Sequence, residues 1–109
     1  VLSDMQMTDY TYESVLAGML QSSQDSSGFV WNDFGIKVAS KTGTPQTTTK
    51  TVNSTFICFA PADDPEIAIA VIIEKGWQGY TAAPVAREIF EYYFSTESGN
   101  APETEILVP

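Results

Sequence analysis

Lys41, Thr42, Gly43 and Thr44 stand in a row within "KVASKTGTPQTTTK". A lysine ammonium carries a full positive charge, and threonine hydroxyls donate hydrogen bonds. A glycine lets another backbone come close. Together these groups suit a small anion. The charge distribution points the same way: the net charge is -9, yet no carboxylate stands between Asp33 and Asp63. Lys37, Lys41 and Lys50 fall in that window and are three of the five basic residues. A local positive field on an acidic body attracts anionic ligands. The same residues also suit the solvent face of an ordinary strand, and charge alone does not separate the two readings.

If the stretch is a strand edge, an extended peptide can add beside it as a further strand. The peptide's carboxylate then meets Lys41 and the hydroxyls of Thr42 and Thr44, and its carbonyl meets the Thr44 N–H. An N–H aimed at developing negative charge is half of an oxyanion hole. One difficulty comes with this placement. Alternation along a strand sends Lys41 to the face opposite Thr42 and Thr44. All three reach one ligand only if the strand borders a cleft and the ligand wraps its edge. A phosphate-binding loop is excluded, because Ser40 stands where that pattern needs glycine and Pro45 follows where a helix should begin.

The elements that must position these residues follow from periodicity. Thr8 reads as the N-cap of a helix over 8–20, with Asp9 in its first turn. Tyr12, Val15, Leu16, Met19 and Leu20 recur on one stripe of it. That stripe reads as core packing, with no cofactor implied. "QSSQDSSG" ends the helix as a polar loop. Strands are expected over 36–44, 52–60 and 66–74. In the second, Phe56 and Cys58 lie on one face and Ile57 and Phe59 on the other, which predicts a central strand covered on both sides. In the third, Ile67, Ile69, Val71 and Ile73 share a face, and Ala68 and Ala70 leave room for a helix on the opposite one. Thr81 then caps a helix over 81–94, with Pro84 in its first turn and Val85, Ala86, Ile89, Phe90 and Tyr93 as its stripe. The acidic stretch 95–109 loses periodicity and reads as a mobile tail. The sum is an α+β fold: an antiparallel three-strand meander flanked by an N-terminal and a C-terminal helix. Three strands and two helices leave faces uncovered, as expected for part of a larger domain.

Other residues receive ordinary explanations. Cys58, the only cysteine, sits in the apolar run "STFICFAP" and reads as a small hydrophobe. No histidine and no second thiol are present to share a metal, so no metal site is expected. Phe29 and Trp31 read as core aromatics, with lining the cleft as the alternative, and Trp77 and Tyr80 are open between packing and substrate contact. Glu74 and Lys75 read as solvated charges at a strand end. Asp63 and Asp64 belong to the Pro65 turn and do not form a catalytic carboxylate pair. A pI near 4.1 argues against a nucleic-acid surface. The longest apolar run, "IAIAVII", falls far short of the roughly 20 residues that span a bilayer.

"KTGTPQ", then "NSTFICFAPADDPEIAIAVIIEKG", then "AAPVAREIFEYYF" resembles the last third of a penicillin-binding transpeptidase domain. The resemblance runs over 1–94 and is closest to the high-molecular-weight, transpeptidase-only branch. Cys58 stands where that family often has glycine. The resemblance implies the penicillin-binding/serine β-lactamase-like fold and acyl transfer on peptidoglycan stem peptides ending in D-Ala-D-Ala. It implies that a serine forms an acyl-enzyme, that an amine of a neighbouring strand resolves it, and that β-lactams trap it. On this chain, Lys41 and Thr44 take catalytic positions: Lys41 holds the cleft's positive potential and bonds the serine of an S-x-N motif, and the Thr44 N–H completes the oxyanion hole. Thr42, Gly43 and Thr44 take the substrate-binding positions, the two hydroxyls holding the carboxylate.

The family also needs S-x-x-K, which carries the nucleophile, and S-x-N. Ala17, Asp25 and Ser98 stand where Ser14, Ser22 and Ser95 would need lysine. Ser98-Gly99-Asn100 matches S-x-N only by letters and follows the last helix, whereas in the family that motif precedes the lysine strand. The expected partner is therefore an upstream part of the same domain, on the same or a companion chain, and this chain alone should be inactive. The resemblance places such a domain on the extracytoplasmic face of the bacterial membrane, anchored by a segment not present here. Two alternatives stay open: a β-lactam sensor or non-catalytic penicillin-binding module, and an acidic interaction domain with a fortuitous K-T-G.

Overall fold

The computed structural model describes residues 3–25, 28–46 and 51–97. Helix α1 spans Asp9–Asp25. The Thr8 hydroxyl accepts the Thr11 N–H at 3.2 Å, which makes Thr8 its N-cap. A 3-10 turn, Gly28–Trp31, leads to three strands: β1 Ala39–Gly43, β2 Ser54–Ala60 and β3 Ile67–Ile73. They form one antiparallel sheet in the order β1-β2-β3. A second 3-10 turn, Gly79–Ala82, leads into helix α2, Ala83–Glu97. The architecture is α+β. β1 begins three residues later than expected, at Ala39, and α1 runs a further turn to Asp25. α2 continues past Ser95 to Glu97, and 98–109, like Lys50, lies outside the described residues.

One face of the sheet carries the core. Register aligns Thr42 with Phe56 and Val71, and Ser40 with Cys58 and Ile69. Phe56, Cys58 and Ala60 of that face are buried against Ala83, Ala86 and Phe90 of α2. Trp31 closes the end of this core, 5.8 Å from the Phe90 ring and 6.2 Å from Phe56. It is therefore a packing residue. Arg87 ties α2 to the first 3-10 turn: its guanidinium donates to the carbonyls of Val30 and Asn32 and lies 5.3 Å over the Phe34 ring.

Four expectations about faces are corrected. β2 is covered on one side only among the described residues, since Ile57 is 51% exposed. α2 packs on the large branched face of β3 and not on the alanine face: Ile69 and Val71 touch the core, and Ala68 and Ala70 are exposed. Four branched side chains offer more apolar area to bury than two methyl groups, and that area decides the face. In α1 the expected core stripe is split, with Tyr12 and Val15 exposed, Leu16, Met19 and Leu20 half-buried, and Ser23 buried. In α2, Val85 and Ile89 are likewise exposed, and the buried line runs through Ala83, Ala86 and Phe90.

Candidate functional site

The site begins with β1 at the edge of the sheet. Lys41 is exposed and opposes Ile57, and Thr42 is half-buried and opposes Phe56. The two side chains therefore leave opposite faces, as alternation requires. The lysine side chain nevertheless folds back along its own strand, and Nζ donates to the Thr42 carbonyl at 3.0 Å. Its charge thus sits beside the 42–43 peptide and does not project straight from the sheet. No carboxylate pairs with it among the described residues, where the ion pair is Arg87–Glu91 at 2.7 Å.

Gly43 answers why a strand carries a glycine here. A Cβ on Gly43 would stand 2.3 Å from Thr55 Oγ1. A Cβ on Gly79 would stand 2.6 Å from the Gly43 carbonyl oxygen and 2.8 Å from its nitrogen. The close approach expected at Gly43 is thus made by the chain's own backbone, folded back from the loop before α2. Two glycines in contact replace what would otherwise be a steric collision.

Thr44 leaves the strand and is exposed, so β1 ends at Gly43 and not at Thr44. Its Oγ1 accepts the Gly79 N–H at 3.0 Å. Pro45 and Gln46 continue the pairing, with Asn53 N–H to the Pro45 carbonyl at 3.1 Å and a bridge from Gln46 to Val52. Beside Thr44 opens a surface cleft of about 470 Å³, lined in part by Gln46, Lys75, Trp77 and Gln78. The structure therefore brings Gly43 and Thr44 together with the 75–79 loop. It places Lys41 against Thr42 and not against Thr44.

The loop is the part that sequence reasoning undervalued. Lys75 and Trp77 both adopt left-handed backbone, with φ of 56° and 77°. That region is costly for a bulky side chain, and such residues gather at ligand clamps and functional sites. Trp77 is 74% exposed and lines the cleft, so it does not pack in the core. Lys75, read as a solvated charge, has its N–H fixed by Asn53 Oδ1 at 3.1 Å and lines the same cleft. Thr81 is not a helix cap: it lies within the 3-10 turn, and its hydroxyl faces the carbonyls of Gly76 and Gln78 at 2.8 and 2.7 Å. Gly79, Ser54 and Thr81 do not stand out as site residues from sequence. The one signal is the glycine pair in "GWQG", which marks a place where backbones can touch. Asp63 and Asp64 lie in the β2–β3 turn, where the Asp64 N–H bonds the Pro61 carbonyl at 3.2 Å.

Cys58 is buried within the core, and burial pushes its thiol from 9.0 up to about 12. A thiolate is the nucleophilic form, so this cysteine is held inert.

Comparison with known proteins follows the same geometry. The penicillin binding protein transpeptidase domain family matches residues 1–91. The chain is 53% identical over 45 residues, 41% of its length, to the peptidoglycan D,D-transpeptidase MrdA of Acinetobacter baumannii. The crystal structure of Pseudomonas aeruginosa PBP2 in complex with WCK 5153 superposes with a TM-score of 0.76 and 29% identity over 94% of this chain. Penicillin-binding protein A from M. tuberculosis, as its imipenem acyl-enzyme complex, gives 0.69 and 29% over 78%. The chain spans 7%, 24% and 19% of these three proteins, respectively. With that family's model matching residues 1–91, the chain belongs to the penicillin binding protein transpeptidase domain family.

Proposed function

We propose that this segment supplies one wall of the acyl-transfer site of a peptidoglycan D,D-transpeptidase, as part of a longer domain. The observation that carries the reading is the edge placement of residues 41–44, with Lys41 exposed on the edge strand and Thr44 exposed just past its end, beside a cleft. In the completed site, a serine from an S-x-x-K motif outside this segment attacks the penultimate carbonyl of a stem peptide. The serine oxygen–carbon bond forms, the peptide C–N bond breaks, and the terminal D-alanine leaves with the proton. An amine of a neighbouring stem peptide then displaces the serine. A β-lactam follows the first step and stops there.

The roles on this chain are those the family resemblance implies. Lys41 supplies fixed positive charge. Thr42 and Thr44 donate to the carboxylate of substrate or drug, and Gly43 lets the Gly79 backbone pack against the strand beside them. The Thr44 N–H donates to the developing oxyanion, a contact whose loss typically costs on the order of a hundredfold in rate. The domain works on the extracytoplasmic side of the membrane, where peptidoglycan is cross-linked. Among the described residues no helix is long and apolar enough to cross a membrane.

Fluorescent penicillin tests the reading. It labels the full-length gene product, and Lys41→Ala lowers the labelling rate by about a hundredfold or more. The isolated 109-residue chain stays unlabelled. Unchanged labelling of the Lys41→Ala protein, or covalent labelling of the isolated chain, contradicts the reading.

A further inference from the structure

The Thr44 hydroxyl does not stand alone. Gly79 N–H donates to its Oγ1 at 3.0 Å. The Gly79 carbonyl in turn accepts the Ser54 hydroxyl at 3.0 Å, and Thr81 Oγ1 lies 2.9 Å from Ser54 Oγ. Ser54 is fully buried in β2, and Gly79 is buried too. A chain of contacts thus runs from the sheet interior, through the carbonyl and N–H of Gly79, to the side chain of exposed Thr44.

Proton counting gives this chain a direction. A hydroxyl has one proton and two lone pairs, whereas an amide N–H can only donate. Oγ1 of Thr44 must therefore be the acceptor from Gly79. Its own proton is left over, on a residue exposed at the surface. The residue is thereby set as a donor, the role an anionic ligand requires. Without the Gly79 contact the hydroxyl rotates freely and donates or accepts alike. The peptide that sets it can approach only because residue 79 lacks a Cβ, since that atom would meet Gly43 backbone at 2.6 to 3.0 Å. Thr81 holds the same loop from the other side, with one proton to share among the Gly76 carbonyl, the Gln78 carbonyl and Ser54.

We infer that Gly79, braced by Ser54 and Thr81, is a positioning residue that fixes the Thr44 hydroxyl as a carboxylate donor. The loop before α2 thereby makes the site selective for ligands carrying a carboxylate. The inference rests on the reading of Thr44 as a ligand-binding residue, and the test separates the two.

The test measures second-order acylation of the full-length protein by a penicillin and by the same penicillin as its neutral methyl ester. Thr44→Val removes the donor itself. Ser54→Ala and Thr81→Val remove the brace, and Thr81→Ser restores a hydroxyl. Both brace variants are expected to slow acylation by the carboxylate form about tenfold, the effect of weakening one hydrogen bond to a charged group. Acylation by the ester should change less than about twofold on the same basis, and Thr81→Ser should recover most of the lost rate. Equal losses for acid and ester in both brace variants would mean a merely structural role and overturn the inference. So would unchanged rates with both ligands. Gly79→Ala adds the steric version, but the serine and threonine variants decide, because they leave the glycine contact free of collision. If Thr44→Val itself leaves the acid rate unchanged, the reading of Thr44 fails. If Thr44→Val slows the acid and the brace variants do not, only the positioning inference fails.

Discussion

Single residues carry the sharpest expectations, because the glycine contacts are so close. Gly43→Ala places a methyl 2.3 Å from Thr55 Oγ1, a side-chain atom that can be removed. Gly79→Ala places one against Gly43 backbone, which has nowhere to go. Gly43→Ala in the full-length protein is therefore expected to slow penicillin acylation at least about tenfold, with Thr55→Ala restoring much of it as neighbours in a double-mutant cycle do. The same Thr55→Ala should give no rescue to Gly79→Ala. Equal rescue of both would contradict the geometry. The need for glycine at position 43 is legible in the sequence as a close approach. What approaches is not, because the partner lies 36 positions away in a loop whose own letters say only "turn". Cys58 gives a second expectation. Its thiol is pushed up, so the folded state holds the proton and the unfolded state releases it first. Stability is then fully present below pH 9.0 and falls as pH rises toward about 12. Maleimide should leave Cys58 unmodified in the native protein and react once denaturant unfolds it. Rapid native labelling would contradict its burial.

At the scale of elements, periodicity finds both α-helices and all three strands of the described residues, misses the two 3-10 turns, and assigns several faces wrongly. In α2 the residues Ile89 and Phe90 are adjacent and look equivalent in sequence, yet Ile89 is 41% exposed and Phe90 fully buried. A stripe on a helix marks apolar side chains but not what covers them, and the covering element here is the branched face of β3. The energetic consequence differs sharply: Phe90→Ala should cost about 3–5 kcal/mol as a core truncation. Ile89→Ala should stay within about 1 kcal/mol in the isolated chain, since much of its surface is already wet. Denaturant melts of the two variants check this, and similar losses would contradict the packing. α1 shows the same limit. Its N-cap at Thr8 is readable from local chemistry, because capping needs only neighbours in sequence. Its exposed stripe at Tyr12 and Val15 is not, because it depends on what β1 and the first 3-10 turn present to it.

For the molecule as a whole, charge is the most legible feature and the division of labour the least. The net charge of -9 with a cationic window at 37–50 points to an anion site from residue types and their order alone. Residues 41–44 fall on and just beyond an edge strand. The contribution of the 75–81 loop is hidden in the sequence, since it is assembled by tertiary contact with Gly43, Thr44 and Ser54. The open face of the sheet, with Ile72 at 72% exposure, fits a segment that borders further structure. The central claim is that residues 41–44 line an acylation pocket whose attacking serine lies outside this segment. A crystal structure of the full-length protein after reaction with a penicillin tests it most directly. The adduct should be joined to a serine outside the 109 residues, with its carboxylate within hydrogen-bond distance of the Thr42 and Thr44 hydroxyls and its carbonyl oxygen facing the Thr44 N–H. An adduct whose carboxylate and carbonyl both point away from this strand would contradict the claim.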